Sequence, residues 1–312
     1  MNFQQLRIIA ETVRRNYNLT DVATALFTSP SGVSKYIKDL EEELNVILFE
    51  RRGKRILGLT APGRDLLPIA ERILLDANNI SRLAQQFAAR EEGTLVVATT
   101  HTQARYVLPS IVARFRTEFP SVRFVLRQGS PKEIASLVRN GAADIGIATE
   151  ALQSAEDLLP FTFYTWKHVL IIPPGHPLDR QAPPSLNEIA AWPLITYHKG
   201  FSGRATIDQA FAAANIVPDI VLTAFDADVI KAYVEVGLGI GVIASMAYDA
   251  TRDTMLRKID VDNLFNDNVA RIAVRRGRVL RDFDLRFIQL CNPSLEPNAV
   301  RAAAVRDLHQ KN

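Results

Sequence analysis

A single cysteine, Cys291, occurs in this chain of 312 residues, so no internal disulfide can staple the fold. With no partner cysteines and no clustered histidines, that thiol also lacks the spacing of a metal site and reads as a buried structural group. Long apolar runs are missing too, since no segment approaches the roughly 18 uncharged apolar residues that a membrane span needs. The stretch from Met1 to Glu11 has no basic segment followed by an apolar one, which is what an export signal requires. The expectation is a cytoplasmic protein without membrane contact. A large excess of one charge is absent: the net charge is +3, although the isoelectric point is about 9.0, so overall balance argues only weakly for nucleic acid. His101, His168, His176, His198 and His309 show no metal-binding spacing. Neither they nor Cys291 sit in a catalytic signature, so an enzyme is unsupported and no metal or cofactor is expected.

What is present is ordinary globular composition, 47% hydrophobic and 23% charged, in a chain longer than one compact domain usually runs. At the start, Phe3, Leu6, Ile9, Ala10 and Val13 fall three and four apart, the spacing of one apolar helix face. Asn18 to Asp21 offers N-caps for a short helix through Val22, Ala23 and Leu26. The break at Thr28-Ser29 then precedes a helix through Val33, Ile37, Leu40 and Leu44; such a tightly joined pair suggests helix-turn-helix. The second helix of that motif enters the major groove, and Ser29, Ser31, Ser34, Lys35 and Lys38 are its candidate contacts. Beyond it, Arg51, Arg52, Lys54 and Arg55 surround Gly53, a basic hairpin fit to lie against phosphates. Taken alone this charge cluster is as readily a solvated turn; the combination is what points to DNA.

From Pro62 onward Leu66, Ile73, Ile80 and Phe87 recur every seven residues, and Ala70, Ala77 and Ala84 keep the same period. This is an a/d seam on which alanines let two backbones approach, predicting a dimer. An amphipathic helix packed on its own domain is the alternative, because three heptads is near the lower limit for a coiled coil. After Glu91-Glu92-Gly93 short β-rich runs alternate with helical patterns: Leu95–Thr99, Phe124–Leu126, Ile145–Ala148, Val169–Ile172, Ile220–Leu222, Ile240–Ile243 and Val269–Val274. The alternation predicts α/β with largely parallel strands, and ligands then sit beyond the carboxyl ends of strands. The residues there are small and polar: Thr99 to Gln103 opening a helix, Gly129-Ser130, Thr149-Glu150, Phe201 to Arg204, and Ala224 to Asp228, which includes Ala227. Hydroxyls and free helix N–H groups can hold an anion, although each cluster alone is ordinary cap and turn chemistry.

Two sets of residues carry a family resemblance. Ala23 to Leu26, Gly32-Val33-Ser34, Leu40-Glu41, Leu48-Phe49, Arg51, Leu59-Thr60 and Gly63 resemble the signature of LysR-type transcription regulators. One departure is Pro30-Ser31 where that family usually has Gln-Pro, which removes a base-reading glutamine and bears on operator preference. Ala98 to Tyr106, Gln128 to Pro131, Ala148 to Leu152, Asp226 to Lys231 and Gly239 to Met246 are similar to the CysB branch, which controls sulfur assimilation and sulfonate use. The resemblance implies three parts: a winged helix-turn-helix over 1–60, a linker and dimerisation helix over 61–92, and a periplasmic-binding-protein-like α/β effector domain over 93–312. Within the last, subdomain I covers about 93–163 plus 267–292 and subdomain II about 164–266. It further implies double-stranded DNA, RNA polymerase and further copies of the chain, as homodimer or homotetramer, as partners. The implied effector is sulfate, thiosulfate, an acetylserine or adenosine phosphosulfate, held by Thr100, Thr102, Gln103, Thr149 and Ser202. A solute-binding protein would share the effector domain but lack the DNA head; a DNA-binding protein indifferent to any sulfur ligand is the second reading. The tail from Pro293 to Asn312 declares no role.

Overall fold

The computed structural model describes residues 1–53, 55–87, 92–201 and 203–306, apart from the side chains of 85–87 and 306. The chain divides into two compact units, Met1–Gln85 and Gln86–Asn312.

The first unit opens with α1 (Phe3–Arg14), started by a capping box in which Asn2 and Gln5 exchange side-chain and backbone hydrogen bonds. Leu6, Ile9 and Ala10 face the core as expected, but Phe3 is 54% exposed and Ile8 is fully buried in its stead. Next come α2 (Leu19–Ala25), capped by Asn18, and α3 (Pro30–Leu44). Ser29 caps α3 by accepting the N–H of Gly32, and Pro30 occupies the first turn, where its missing N–H is no loss. Asn45 ends α3 in the left-handed region. The hairpin β1 (Phe49–Arg52) and β2 (Arg55–Leu59) follows, then the long α4 (Ala61–Phe87), which carries Pro68 within it. Val22, Val33, Ile37, Leu40, Leu48, Phe49 and Ile56 form one core, on which Leu66 and Leu67 also pack. Gly63 makes this possible, because a Cβ there would lie 2.1 Å from the Leu48 carbonyl oxygen. The first turns of α4 therefore belong to the head.

The second unit holds two five-stranded sheets. Its elements run β3 (Gly93–Thr99), α5 (Leu108–Glu118), β4 (Val122–Gln128), α6 (Pro131–Arg139), β5 (Ile145–Ala148), β6 (Leu158–Trp166), β7 (His168–Ile172), α7 (Leu186–Ala190), β8 (Leu194–Tyr197), α8 (Arg204–Ala213), β9 (Ile220–Ala224), α9 (Ala227–Glu235), β10 (Ile240–Ala244), β11 (Arg257–Asp260), β12 (Asn268–Arg275), α10 (Asp282–Cys291) and α11 (Pro297–Arg306). One sheet orders β4-β3-β5-β12-β6 and the other β11-β7-β10-β8-β9. Cores line both faces of each sheet. The chain passes between sheets twice, from β6 to β7 at Lys167 and from the second sheet into β12 at Asn268.

The expectation of largely parallel strands is corrected. The pairs β3·β4, β3·β5, β8·β9 and β8·β10 are parallel, while β5·β12, β6·β12, β7·β10 and β7·β11 are antiparallel. The crossing strands cause this, since each enters its new sheet against the direction of the βα units already there. Three strands escape the sequence reading. β6 (LLPFTFYTW) contains a proline, β8 (LITY) has four residues, and β11 (RKID) is mostly exposed, so none shows clean alternation over a useful length. The tail acquires a role: Val300 and Ala304 of α11 are buried in the core of the first sheet. Cys291 is enclosed there as well, and burial pushes its thiol up.

Candidate functional site

The DNA-facing candidates lie on α3 and the β1–β2 hairpin. Ser31, Lys35 and Lys38 are exposed, Ser34 is half-buried, and Lys38 pairs with Glu42 one turn on at 3.2 Å. The Ser29 hydroxyl is committed to capping. Arg51 differs from its basic neighbours: its Nη2 lies 3.0 Å from Oε2 of buried Glu41, whose Oε1 accepts the N–H groups of Leu48 and Phe49. Glu41 thereby ties the hairpin to the buried face of α3, and Arg51 acts through that tie. Arg52 and Arg55 stand directly opposite one another across the hairpin and are both exposed. Facing like charges cost stability in the free protein, a cost that a phosphate between them would remove. Lys54 lies outside the described residues.

In the second unit β3 ends at Thr99, and the chain enters α5 through a π-helical turn, Gln103–Val107, a wide turn frequent at functional sites. Thr100, Thr102 and Gln103 are all buried, at 6%, 3% and 2% exposure. The Gln103 Oε1 accepts the hydroxyl of Tyr164 at 2.9 Å, and the Thr149 Oγ1 accepts the indole N–H of Trp166 at 3.3 Å. Tyr164 and Trp166 are two apart on β6 and so share a face, which brings together residues 46 positions apart in the chain. Burial raises the Tyr164 phenol to about 12, keeping it a neutral donor. Trp166 and Tyr164 were missed by the sequence reading along with β6 itself.

A cleft of about 640 Å³ runs between the sheets, lined by His101, Gln128, Gly129, Ser130, His198, Phe201, Phe225 and Asp226 among others, a size suited to a small ligand. Of the expected ligand residues it brings together Gly129 and Ser130, though the Ser130 hydroxyl is spent on capping α6, where it accepts the N–H of Glu133. The Ala227 side chain is fully buried beside Ile230 and Val234, which leaves the backbone N–H at the start of α9 as the group it could offer a ligand. Ser202 lies outside the described residues; its neighbour Gly203 is described, in the left-handed region at φ 71°, where a Cβ would come within 2.3 Å of Asn268 Oδ1.

Beside this cleft, meeting it at His101, lies a polar clasp that the sequence did not announce. Asp228 of α9 accepts the Tyr106 hydroxyl at 2.6 Å and pairs with Arg105 at 2.7 Å and His101 at 3.1 Å, all three from the segment after β3. Behind it Lys231 reaches Asp253 and the Ala247 carbonyl, each at 3.0 Å. Burial alone would raise the Asp228 carboxyl, but hydrogen bonds from Tyr106 and His101 and the charges of Arg105 and Lys231 outweigh it and hold it below the usual range. His101, Asp226 and Asp228 bring ligating atoms within 4.8 Å of one another, yet Arg105 and Lys231 already neutralise Asp228, so the arrangement favours an ion pair over a bound cation.

At the strand crossings a second network forms. Asn268 lies 3.3 Å from His168 Nδ1 and 3.1 Å from Thr206 Oγ1, and Thr206 donates to the Gly203 carbonyl at 2.6 Å. The Gly203 N–H in turn reaches Glu150 Oε1 at 2.5 Å. The site thus combines buried hydroxyls, helix N-termini from both sheets and a pair of crossings able to act as a hinge. It offers recognition of a small polar ligand.

Comparison with known proteins agrees with this division. Residues 3–64 match the family described as bacterial regulatory helix-turn-helix protein, lysR family, and residues 88–295 match the LysR substrate binding domain. The chain is 55% identical to the HTH-type transcriptional regulator SsuR of Burkholderia cenocepacia, over 95% of this chain and 96% of that one. It is 45% identical to the regulator CysB of the same organism, over 97% of each. Among solved structures, the cofactor-binding domain of the Cbl transcriptional regulator superposes with a TM-score of 0.67 at 45% identity, covering 69% of this chain and 94% of that one. Among the described residues no helix is long and apolar enough to cross a membrane. The chain belongs to the LysR family of transcription regulators, DNA-binding proteins and not enzymes.

Proposed function

We propose that this protein regulates genes of sulfur assimilation or sulfonate use in the cytoplasm, binding double-stranded DNA through α3 and the β1–β2 hairpin. A small anionic sulfur metabolite in the cleft of the second unit controls it. The observation that carries the reading is the burial of Thr100, Thr102 and Gln103 at the carboxyl end of β3. Hydroxyl and amide donors in such a place can hold an oxyanion without a full cationic partner. Thr149 and Ser202 complete the set that the family resemblance implies. Sulfate, thiosulfate, an acetylserine and adenosine phosphosulfate are the candidate effectors. The protein works as a homodimer or homotetramer joined through α4, along Leu66, Ala70, Ile73, Ala77, Ile80, Ala84 and Phe87, and acts on RNA polymerase. Effector binding closes the cleft and shifts the placement of the DNA heads.

The test is to select bound fragments from sheared genomic DNA with the purified full chain and to sequence them. Enrichment upstream of sulfur-acquisition genes, altered in strength or extent by a candidate effector, is the expected result. Enrichment upstream of unrelated genes, indifferent to all four compounds, would favour a regulator that ignores sulfur ligands.

A further inference from the structure

Phe225 directly follows β9 and is 61% exposed, yet it lines the cleft and not an open face of the protein. It does not stand alone. Phe201 and His198, from the segment after the neighbouring parallel strand β8, line the same cleft. The Phe225 ring lies 5.0 Å from that of Phe201 and 5.2 Å from that of His198, the latter inclined at 38°. Ligands of α/β sheets sit at the carboxyl ends of parallel strands, where cap and turn chemistry alone calls for small polar residues and not for three rings. A large apolar ring left in water inside a concave site is surface held for a ligand to cover. The first sheet supplies a polar lip to the same cleft, with Gln128, Gly129, Ser130 and Lys132.

The charge of the cleft suits an acid. Two carboxylates that line it are turned onto helix starts: Asp226 accepts the Val229 N–H at 2.9 Å, and Glu133 accepts the Ser130 N–H at 2.8 Å. Lys132 and Lys199 are exposed, and among the described residues neither ammonium has an ion-pair partner. Size agrees, since about 640 Å³ is room for a drug-sized molecule, far more than one tetrahedral anion fills. His101, between Thr100 and Thr102, borders the cleft and so joins it to the donors that follow β3.

We propose that Phe225 determines the specificity of this cleft and that the effector it selects is an aromatic ring joined to a sulfur oxyanion, the ring stacked on Phe225 and the acid group at the donors after β3. The inference rests on the reading of the cleft as an oxyanion site and deepens it. A nucleoside phosphosulfate and an aryl sulfonate share this chemistry. Removing an aromatic side chain from beneath a stacked base weakens binding about 5- to 150-fold. Inorganic sulfate has no ring and gains nothing from Phe225.

The experiment is calorimetric titration of the full-length protein with sodium sulfate, adenosine phosphosulfate and sodium benzenesulfonate, on wild type, Phe225→Ala, Phe225→Trp and Thr100→Ala. At least one ring-bearing compound is expected to bind wild type more tightly than sulfate does. Phe225→Ala should weaken that compound about 5- to 150-fold and leave sulfate unchanged, and Phe225→Trp should restore it. Which compound shows the advantage tells a nucleotide from an aryl sulfonate as the source. Should Phe225→Ala fail to fold, the fluorescence of Phe225→Trp decides: the ring-bearing compound should quench it beyond the wild-type signal, and no such quenching overturns the proposal. Ring-bearing compounds that bind no more tightly than sulfate also overturn it, as does a Phe225→Ala variant that weakens all compounds alike or none. Sulfate binding that Thr100→Ala abolishes, with no advantage for a ring, defeats the proposal alone, whereas no binding of any compound to wild type defeats the oxyanion reading with it.

Discussion

At the scale of single residues, the buried charged groups do the positioning. Glu41 satisfies two backbone N–H groups and holds Arg51, so Glu41→Ala strands two buried donors and is expected to cost about 2–4 kcal/mol. A denaturant midpoint of the isolated transition of the head, with the effector domain unchanged, checks it. Asp228 gives a pH signature. Its carboxyl is depressed in the folded state, so its contribution is present above the unfolded value of about 3.9 and is lost as pH falls through the folded value. The stability difference between wild type and Asp228→Asn, read from urea midpoints, should be constant between about pH 5 and pH 8 and shrink below about pH 4. Both residues were legible in the sequence, within the family signature and the candidate ligand segment, but what they pair with was not. Glu41 lies inside a run of charges that reads as a solvated helix face, and Asp228 reads as a first-turn acid. Their partners come from hairpin and strand segments that only tertiary packing brings near, whereas Ser29 and Pro30 were legible because capping is local.

At the scale of elements, periodicity located the helices and most strands and failed where a strand was short, exposed or interrupted by proline. The loss of β6 was the expensive one, because Tyr164 and Trp166 on it hold Gln103 and Thr149. The residues after β3 were legible as a ligand segment since hydroxyls cluster there. The clasp on Asp228 was not, since it joins positions more than 120 apart. The β1–β2 hairpin makes a prediction of its own. Arg52 and Arg55 face each other, so if they flank phosphates, Arg52→Ala with Arg55→Ala should weaken binding to all DNA sequences alike and lower the salt slope of log K by about 2. Anisotropy titrations over a range of salt measure this, and a slope equal to that of wild type would remove the hairpin from the interface.

At the scale of the whole molecule, α4 shares its heptad seam between two tasks. Leu66 packs on the core of the head, while farther along Ile80 is 68% exposed. A large apolar side chain left in water at a seam position is what a second copy would cover, so Ile80→Glu is expected to shift the chain toward monomer in sedimentation velocity while leaving both units folded. The central claim is that the second unit reads a small oxyanion through the residues at the end of β3. The most direct measurement is calorimetric titration of wild type and Thr100→Ala with sulfate, thiosulfate, acetylserine and adenosine phosphosulfate. Saturable binding of at least one compound by wild type, lost in the variant, is the predicted result; no binding of any of them to well-folded wild type, or binding that Thr100→Ala leaves unchanged, would contradict it.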